Sequence, residues 1–259
     1  MSDTKMASDK AAEKKSDGGL WETIRVIIEA LVIALVVRTF LFQPFNIPSG
    51  SLVPTLLVGD YLFVSKYAYG YSKHSFPYSV LPVNGRFLFV SEPKRGDIAV
   101  FKLPKDNATD YIKRVIGLPG DKVQMIYGVL HINGQPVKRE AAGTFAGQDR
   151  FGRPAPVPRY RETLPNGVSY FTIEAEGDTS YWDNTNEYTV PAGHFFMMGD
   201  NRDNSLDSRS LNDVGFVPFE NFVGRAEIIF FSLDERAAFY EFWKWPWSIR
   251  WNRIFNGIR

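Results

Sequence analysis

The sequence predicts a mostly β protein: antiparallel β-sheets forming a partly open, barrel-like domain, preceded by one N-terminal transmembrane helix. Three observations carry this expectation. One long apolar run occurs, near the start, between Leu20 and Phe42. Beyond it the apolar residues come in short, period-two stretches, the pattern of strands with one buried face. Glycine and proline punctuate those stretches, with none of the long helical segments of an alternating βαβ chain.

Met1 to Gly19 is polar, with four lysines and four acidic residues, and is expected to be a disordered tail. The apolar run that follows, taken as an anchor over 20–43, has its heart at Ala30 to Val37. Its length suits a hydrocarbon core of about 30 Å, which takes roughly 20 helical residues. Arg25 and Glu29 are spaced i,i+4 and can pair on a helix, and Arg25 and Arg38 sit where they can snorkel to an interface. Glu29 is the costly residue. A cleaved leader needs small residues before its cut site, and Arg38 to Phe45 offers none, so an uncleaved anchor is expected. Lysines before the span place the tail in the cytoplasm and the rest of the chain outside.

Phe45-Asn-Ile-Pro-Ser-Gly-Ser-Leu-Val-Pro-Thr-Leu56 comes next. Pro48 and Pro54 fix their own φ and bias the preceding residues to extended geometry. Gly50 is expected to permit a turn that a Cβ would forbid. The segment reads as a rigid bend presenting Ser51, or, more plainly, as a linker. Strands are expected at Tyr61–Ser65, Arg86–Val90, Ile98–Phe101, Tyr111–Ile116, Val123–Tyr127, Val129–Ile132, Ser169–Ile173, His194–Met198 and Ala226–Phe231, in a domain spanning 44–236. Gly128 and Asn133-Gly134 mark hairpin turns. Residues 141–186 are polar and weakly patterned, part of a peripheral inserted lobe over about 124–190. The C-terminal segment, 237–259, holds Trp243, Trp245, Trp247 and Trp251 among basic residues. It reads either as a membrane-interface contact or as a cap packed on the barrel.

Composition narrows the chemistry. Net charge is +1, so there is no broad basic field and no nucleic-acid partner is expected. Cysteine is absent, which removes disulfides, thiolate metal sites and a cysteine nucleophile. His74, His131 and His194 are far apart and lack ligand spacing, so neither metal nor cofactor is expected. Ser51 therefore needs a base other than histidine, and a lysine serves if burial lowers its pKa. In a strand, Tyr111, Lys113 and Val115 share one face, which sets Lys113 between an aromatic and a β-branched neighbour. Periodicity alone does not single it out from other lysines. Gly199-Asp-Asn-Arg-Asp-Asn-Ser-Leu-Asp-Ser-Arg209 reads as a tightly hydrogen-bonded loop; it lacks the central glycine and final glutamate of an EF-hand. Ser2–Lys5 and Ser91–Lys94 fit the Ser-x-x-Lys pattern of penicillin-recognising enzymes, but one lies in the tail, the other contains Pro93, and no Lys-Thr-Gly accompanies them.

Together, Ile47–Leu56, Arg95–Phe101, Tyr111–Asp121 and Gly199–Arg209 resemble, in order, the boxes of bacterial type I signal peptidases (leader peptidases). The resemblance covers roughly Leu20 to Phe231 and is weakest between Ala141 and Asn186. It implies a membrane-bound serine endopeptidase that removes signal peptides from secreted preproteins, cutting after small residues in Ala-x-Ala-like sequences. It implies Ser51 as nucleophile, Lys113 as general base, and Ser205 hydrogen-bonded to Lys113. The Ser51 N–H and the Ser49 hydroxyl would form the oxyanion hole. Asp207 and Arg209 would brace the site as an ion pair. Phe45, Ile47, Pro48, Leu52, Leu56 and Ile112 would line shallow apolar pockets, with the substrate extended beside them. The family usually has methionine where this chain has Leu52, which implies an altered pocket wall with activity retained.

The partners so implied are preproteins and membrane lipid. The location is the bacterial inner membrane, single-pass, with the working domain on the periplasmic side. A monomer suffices, because anchoring itself raises the effective concentration of a membrane-borne substrate. The rivals are a self-cleaving repressor, which would carry a DNA-binding domain and no anchor, an anchored binding module, and a penicillin-binding enzyme.

Overall fold

A computed structural model describes residues 16–76, 85–148, 152–178, 180–234 and 241–258. The tail expected over 1–15, the first Ser-x-x-Lys match and residues 235–240 lie outside the described residues. Helix α1 runs Ser16–Phe40. It is apolar all round rather than on one stripe, and Leu20, Trp21, Val26, Leu31, Ile33 and Leu35 are each more than half exposed. By mean hydropathy, no helix among the described residues is long and apolar enough to cross a membrane; Arg25, Glu29 and Arg38 are what interrupt α1.

The chain then enters a seven-stranded antiparallel sheet. Its strands are β1 (Phe42–Asn46), β2 (Asp60–Ser65), β3 (Ile98–Lys102), β4 (Asp110–Gly117), β12 (His194–Met198), β13 (Val217–Pro218) and β14 (Phe222–Ser232). Their order is β1-β2-β14-β3-β4-β12-β13. Period-two patterning divides the sheet's faces. Ile98 and Val100 join Ile47, Leu52, Leu56, Leu62 and Val64 in one core cluster. Ala99 and Phe101 join Tyr69, Val115, Phe195, Met197 and Phe222 in another.

Between β4 and β12 the chain builds two smaller sheets. One orders β11 (Tyr188–Thr189), β5 (Lys122–Ile126), β6 (Val129–Ile132) and β7 (Gln135–Pro136); the other orders β10 (Ser169–Ile173), β9 (Pro154–Thr163) and β8 (Lys138–Gln148). The long β8–β9 hairpin occupies the stretch that lacked pattern in the sequence. Most of its side chains are exposed or half-exposed on both faces, so no apolar alternation exists to be read.

Two expectations need correction. Arg86–Val90 is not a strand: it contributes one bridge, Phe87 to Tyr71. Arg86 instead spends its guanidinium on the carbonyls of Tyr69, Gly70, Phe219 and Phe222, and Leu88 and Phe89 turn the chain with φ of 53° and 47°. Gly50 does not need its missing Cβ for its own backbone. A Cβ there meets only Val53 Cγ2, at 3.7 Å, and the bend comes from a short 3-10 turn over Gly50–Leu52.

The C-terminal segment packs on the domain. Arg250 donates to the Val58 carbonyl at 2.8 Å, Arg253 pairs with buried Asp60, and Trp245 packs on Phe231. Trp243, Trp247 and Trp251 nevertheless stand more than half exposed.

Candidate active site

Ser51 sits in the 3-10 turn after β1, buried at 7% exposure. β4 supplies Lys113, directly opposite Ala99 of β3. The Lys113 Nζ donates to Ser51 Oγ at 2.6 Å and lies 5.4 Å from the centroid of the Tyr111 ring. Burial lowers its pKa from 10.5 to about 8; the charges of Asp207 and Asp200 raise it only in part, and Arg209 lowers it again. A lysine so placed carries a large neutral fraction near pH 8 and can accept a proton from the hydroxyl it touches. Ser49 Oγ lies 3.5 Å from Ser51 Oγ.

β12 runs antiparallel to β4 with Met198 opposite Arg114, and this register delivers the 199–209 loop to Lys113. Gly199 makes the close approach possible: a Cβ there would fall 2.3 Å from Ser205 Oγ and 2.5 Å from the Ser51 carbonyl oxygen. Asn201 holds the Ser51 turn, its N–H donating to the Ser51 carbonyl and its Nδ2 to the Gly50 carbonyl, each at 3.1 Å. Thr55 Oγ1 donates to Asp200 Oδ2 at 2.6 Å. Asp200 in turn takes a two-pronged bond from buried Arg114, at 2.8 and 2.7 Å. Arg114 also donates to the carbonyl of Gly96, at a φ of +98° that suits glycine. Arg202 completes the frame by pairing with Glu162 of β9.

Asp207 and Arg209 form the expected ion pair, with two bonds of 2.9 Å between side chains almost wholly buried. Burial pushes the Asp207 carboxyl up, but the Arg209 charge and hydrogen bonds from Arg209 and the Gly199 N–H bring it below the usual carboxylate range.

Other expected residues fall differently. Ser205 lies beside Lys113 but makes no hydrogen bond to it among the described residues: its side chain packs over Gly199, where its hydroxyl helps hold the Asp207 carboxyl down, while Lys113 reaches to Ser51. Pro48 and Ile112 line a cleft of about 420 Å³ beside Ser51 and Lys113. Ile47, Leu52 and Leu56 do not: they are at most 3% exposed and pack in the core beneath it, with Phe45 half-buried alongside. Leu52 is therefore a packing residue beneath Ser51. Leu206, Asn204 and Tyr111 complete the cleft. Of the residues to which the sequence reading gave no role, Asn201 holds the Gly50 and Ser51 carbonyls, and Thr55, Arg114 and Asp200 bond one another beside it.

The family model described as signal peptidase, peptidase S26, matches residues 20–231. A signal peptidase I of Rickettsia typhi is 40% identical over 88% of this chain and 90% of its own. One from Rickettsia canadensis is 38% identical over 99% of this chain and 97% of its own. A solved signal peptidase I from Enterococcus faecalis is 26% identical and covers 52% of this chain and 97% of its own, at a TM-score of 0.31, too low to compare overall folds. The chain belongs to the signal peptidase family, peptidase S26.

Proposed function

We propose that this chain is a membrane-bound serine endopeptidase that removes N-terminal signal peptides from exported preproteins, with Ser51 as nucleophile and Lys113 as general base. The observation that carries the proposal is the 2.6 Å contact between a buried lysine amine and a serine hydroxyl at the edge of an open cleft.

The reaction follows from that contact. Neutral Lys113 takes the Ser51 proton as Oγ attacks the scissile carbonyl. The resulting oxyanion sits between the Ser51 N–H and the Ser49 hydroxyl; one such donor is worth about 3–4 kcal/mol in other hydrolases. The tetrahedral adduct collapses, the C–N bond breaks, and the Lys113 ammonium protonates the departing amine of the mature protein. A water then gives its proton to Lys113 and attacks the acyl-enzyme, releasing the signal peptide's carboxylate and restoring the Ser51 hydroxyl. Asp207 and Arg209 neutralise each other behind Lys113, so that its low pKa is set mainly by burial. The cleft beside Ser51 is small and in part apolar, which suits small side chains at the cut.

We also infer that α1 is a single-pass anchor in the bacterial inner membrane, with the β domain on the periplasmic side. Its exposed apolar surface has few other places to go. Arg25 and Glu29 pair at 2.8 Å, which offsets part of the cost that a mean hydropathy counts in full. Exposed Trp243, Trp247 and Trp251 suit the headgroup layer. The chain is taken to act as a monomer without metal or cofactor.

Incubation with a purified preprotein tests the reading. The expected product begins directly after a small-x-small sequence, by mass and N-terminal sequencing, and replacing the last small residue by phenylalanine abolishes it. Cleavage indifferent to that replacement rejects the assigned specificity.

A further inference from the structure

A second cavity, of about 650 Å³, lies where α1 meets the main sheet and shares Asp110 with the Ser51 cleft. Arg38, Lys66, His74 and Lys102 line it, and among its described lining residues Asp110 is the one carboxylate. Asp110 is already engaged by Lys102 at 2.9 Å. Lys66 is the unusual member: 3% exposed, with Nζ donating to the Ser75 carbonyl and no carboxylate in hydrogen-bond reach among the described residues. A buried ammonium without a counter-anion is costly. Burial first and Arg38 second bring its pKa down to about 8, with Asp110 only partly opposing. Arg38 stands exposed on the last turn of α1. The peptidase chemistry uses none of these groups.

The cavity is also amphiphilic. Leu35 and Phe76 share its wall with the cations, and Leu35 continues the exposed apolar surface of α1. A ligand that fits has a compact anion at one end and hydrocarbon at the other.

We propose that this cavity is a binding site for a phosphate group, held by Arg38 and Lys66, and that its natural source is the phosphodiester of an anionic phospholipid whose acyl chains lie along α1. The lipid assignment rests on the anchoring role proposed for α1; the phosphate chemistry rests on the cavity alone. A guanidinium offers two parallel donors to phosphate oxygens, and Lys66 adds a charge that is poorly hydrated beforehand.

The test uses the purified full chain in a nonionic detergent at fixed ionic strength. Thermal unfolding and native mass spectrometry are followed against three probes: dihexanoyl phosphatidylglycerol, inorganic phosphate, and dihexanoylglycerol, which lacks phosphate. Phosphatidylglycerol is expected to raise the unfolding midpoint saturably and dihexanoylglycerol to leave it unchanged. Arg38→Gln and Lys66→Met are each expected to weaken apparent affinity about tenfold or more, with peptide cleavage in lipid-free detergent unchanged. Should Lys66→Met fail to fold, Arg38→Gln, on an exposed position, still decides. Tighter binding of phosphatidylglycerol than of phosphate supports the lipid source. Equal binding, lost in the variants, supports the site with free phosphate as its ligand. Phosphatidylglycerol binding that persists undiminished in Arg38→Gln, or no binding of either phosphate probe, overturns the proposal. Cleavage and flotation with vesicles, measured on the same preparation, separate that failure from a failure of the peptidase and anchoring assignments.

Discussion

Replacing Lys113, the proposed general base, should make the folded protein more stable while silencing it. Lys113 is 4% exposed, and its pKa falls from 10.5 to about 8. At roughly 1.4 kcal/mol per pH unit, holding a protonated amine there costs about 3 kcal/mol. Lys113→Met removes that cost. It also removes the hydrogen bond to Ser51, worth about 1 kcal/mol, so the variant should gain about 2 kcal/mol near pH 6. The sign reverses with pH in a defined window. Between about 8 and 10.5 the unfolded chain keeps the Lys113 proton that the folded chain has lost, so wild-type stability rises relative to the variant. The gain from methionine should therefore shrink through that window and turn into a loss of about 1 kcal/mol, the missing hydrogen bond, at its upper end. Urea unfolding of both full-length proteins in the same detergent, at about pH 6 and pH 10, measures the difference. A variant less stable than wild type near pH 6, or a difference that does not move with pH, would refute the argument that burial sets the amine's pKa.

Three further outcomes are expected. Cleavage measured as kcat/KM should rise with pH through about 8 as Lys113 loses its proton, and a chelator should leave it unchanged; loss of activity in chelator with rescue by zinc would contradict this. Gly199→Ala should cost about 100-fold or more in kcat/KM, because its Cβ would fall 2.5 Å from the Ser51 carbonyl oxygen and displace the nucleophile; near-normal kinetics would show that the loop adjusts freely. Asp200→Leu should destabilise by about 3–5 kcal/mol by stranding the buried Arg114 guanidinium, and adding Arg114→Met should restore most of the loss; additive costs in the double-mutant cycle would contradict the pairing.

The parts of this molecule that were legible in the sequence are those with a local pattern. Period two placed Tyr111, Lys113 and Val115 on one face, and Tyr111 and Val115 pack in one cluster with Lys113 between them. The main-sheet strands β2, β3, β4, β12 and β14 were legible for the same reason. The β8–β9 hairpin was not, because both its faces meet solvent over most of its length. The Leu88–Phe89 turn defeated its strand pattern because backbone conformation, not apolar content, decides there. At the site, the resemblance led to Ser51 and Lys113, but it carried no information on depth. Ile47, Leu52 and Leu56 read as pocket residues and proved to be core. Thr55, Asp200 and Asn201 act through bonds spanning some 145 to 151 residues of chain, which no local pattern records.

The central claim is that Ser51 and Lys113 act as one nucleophilic unit, and processing of a preprotein by the wild type, Ser51→Ala and Lys113→Met tests it most directly, with folding of each checked by circular dichroism. The account predicts cleavage by the wild type alone, with acid-quenched wild type carrying a signal-peptide acyl adduct on Ser51 that neither variant forms. Processing that survives in either folded variant, or an adduct on any other residue, would contradict it.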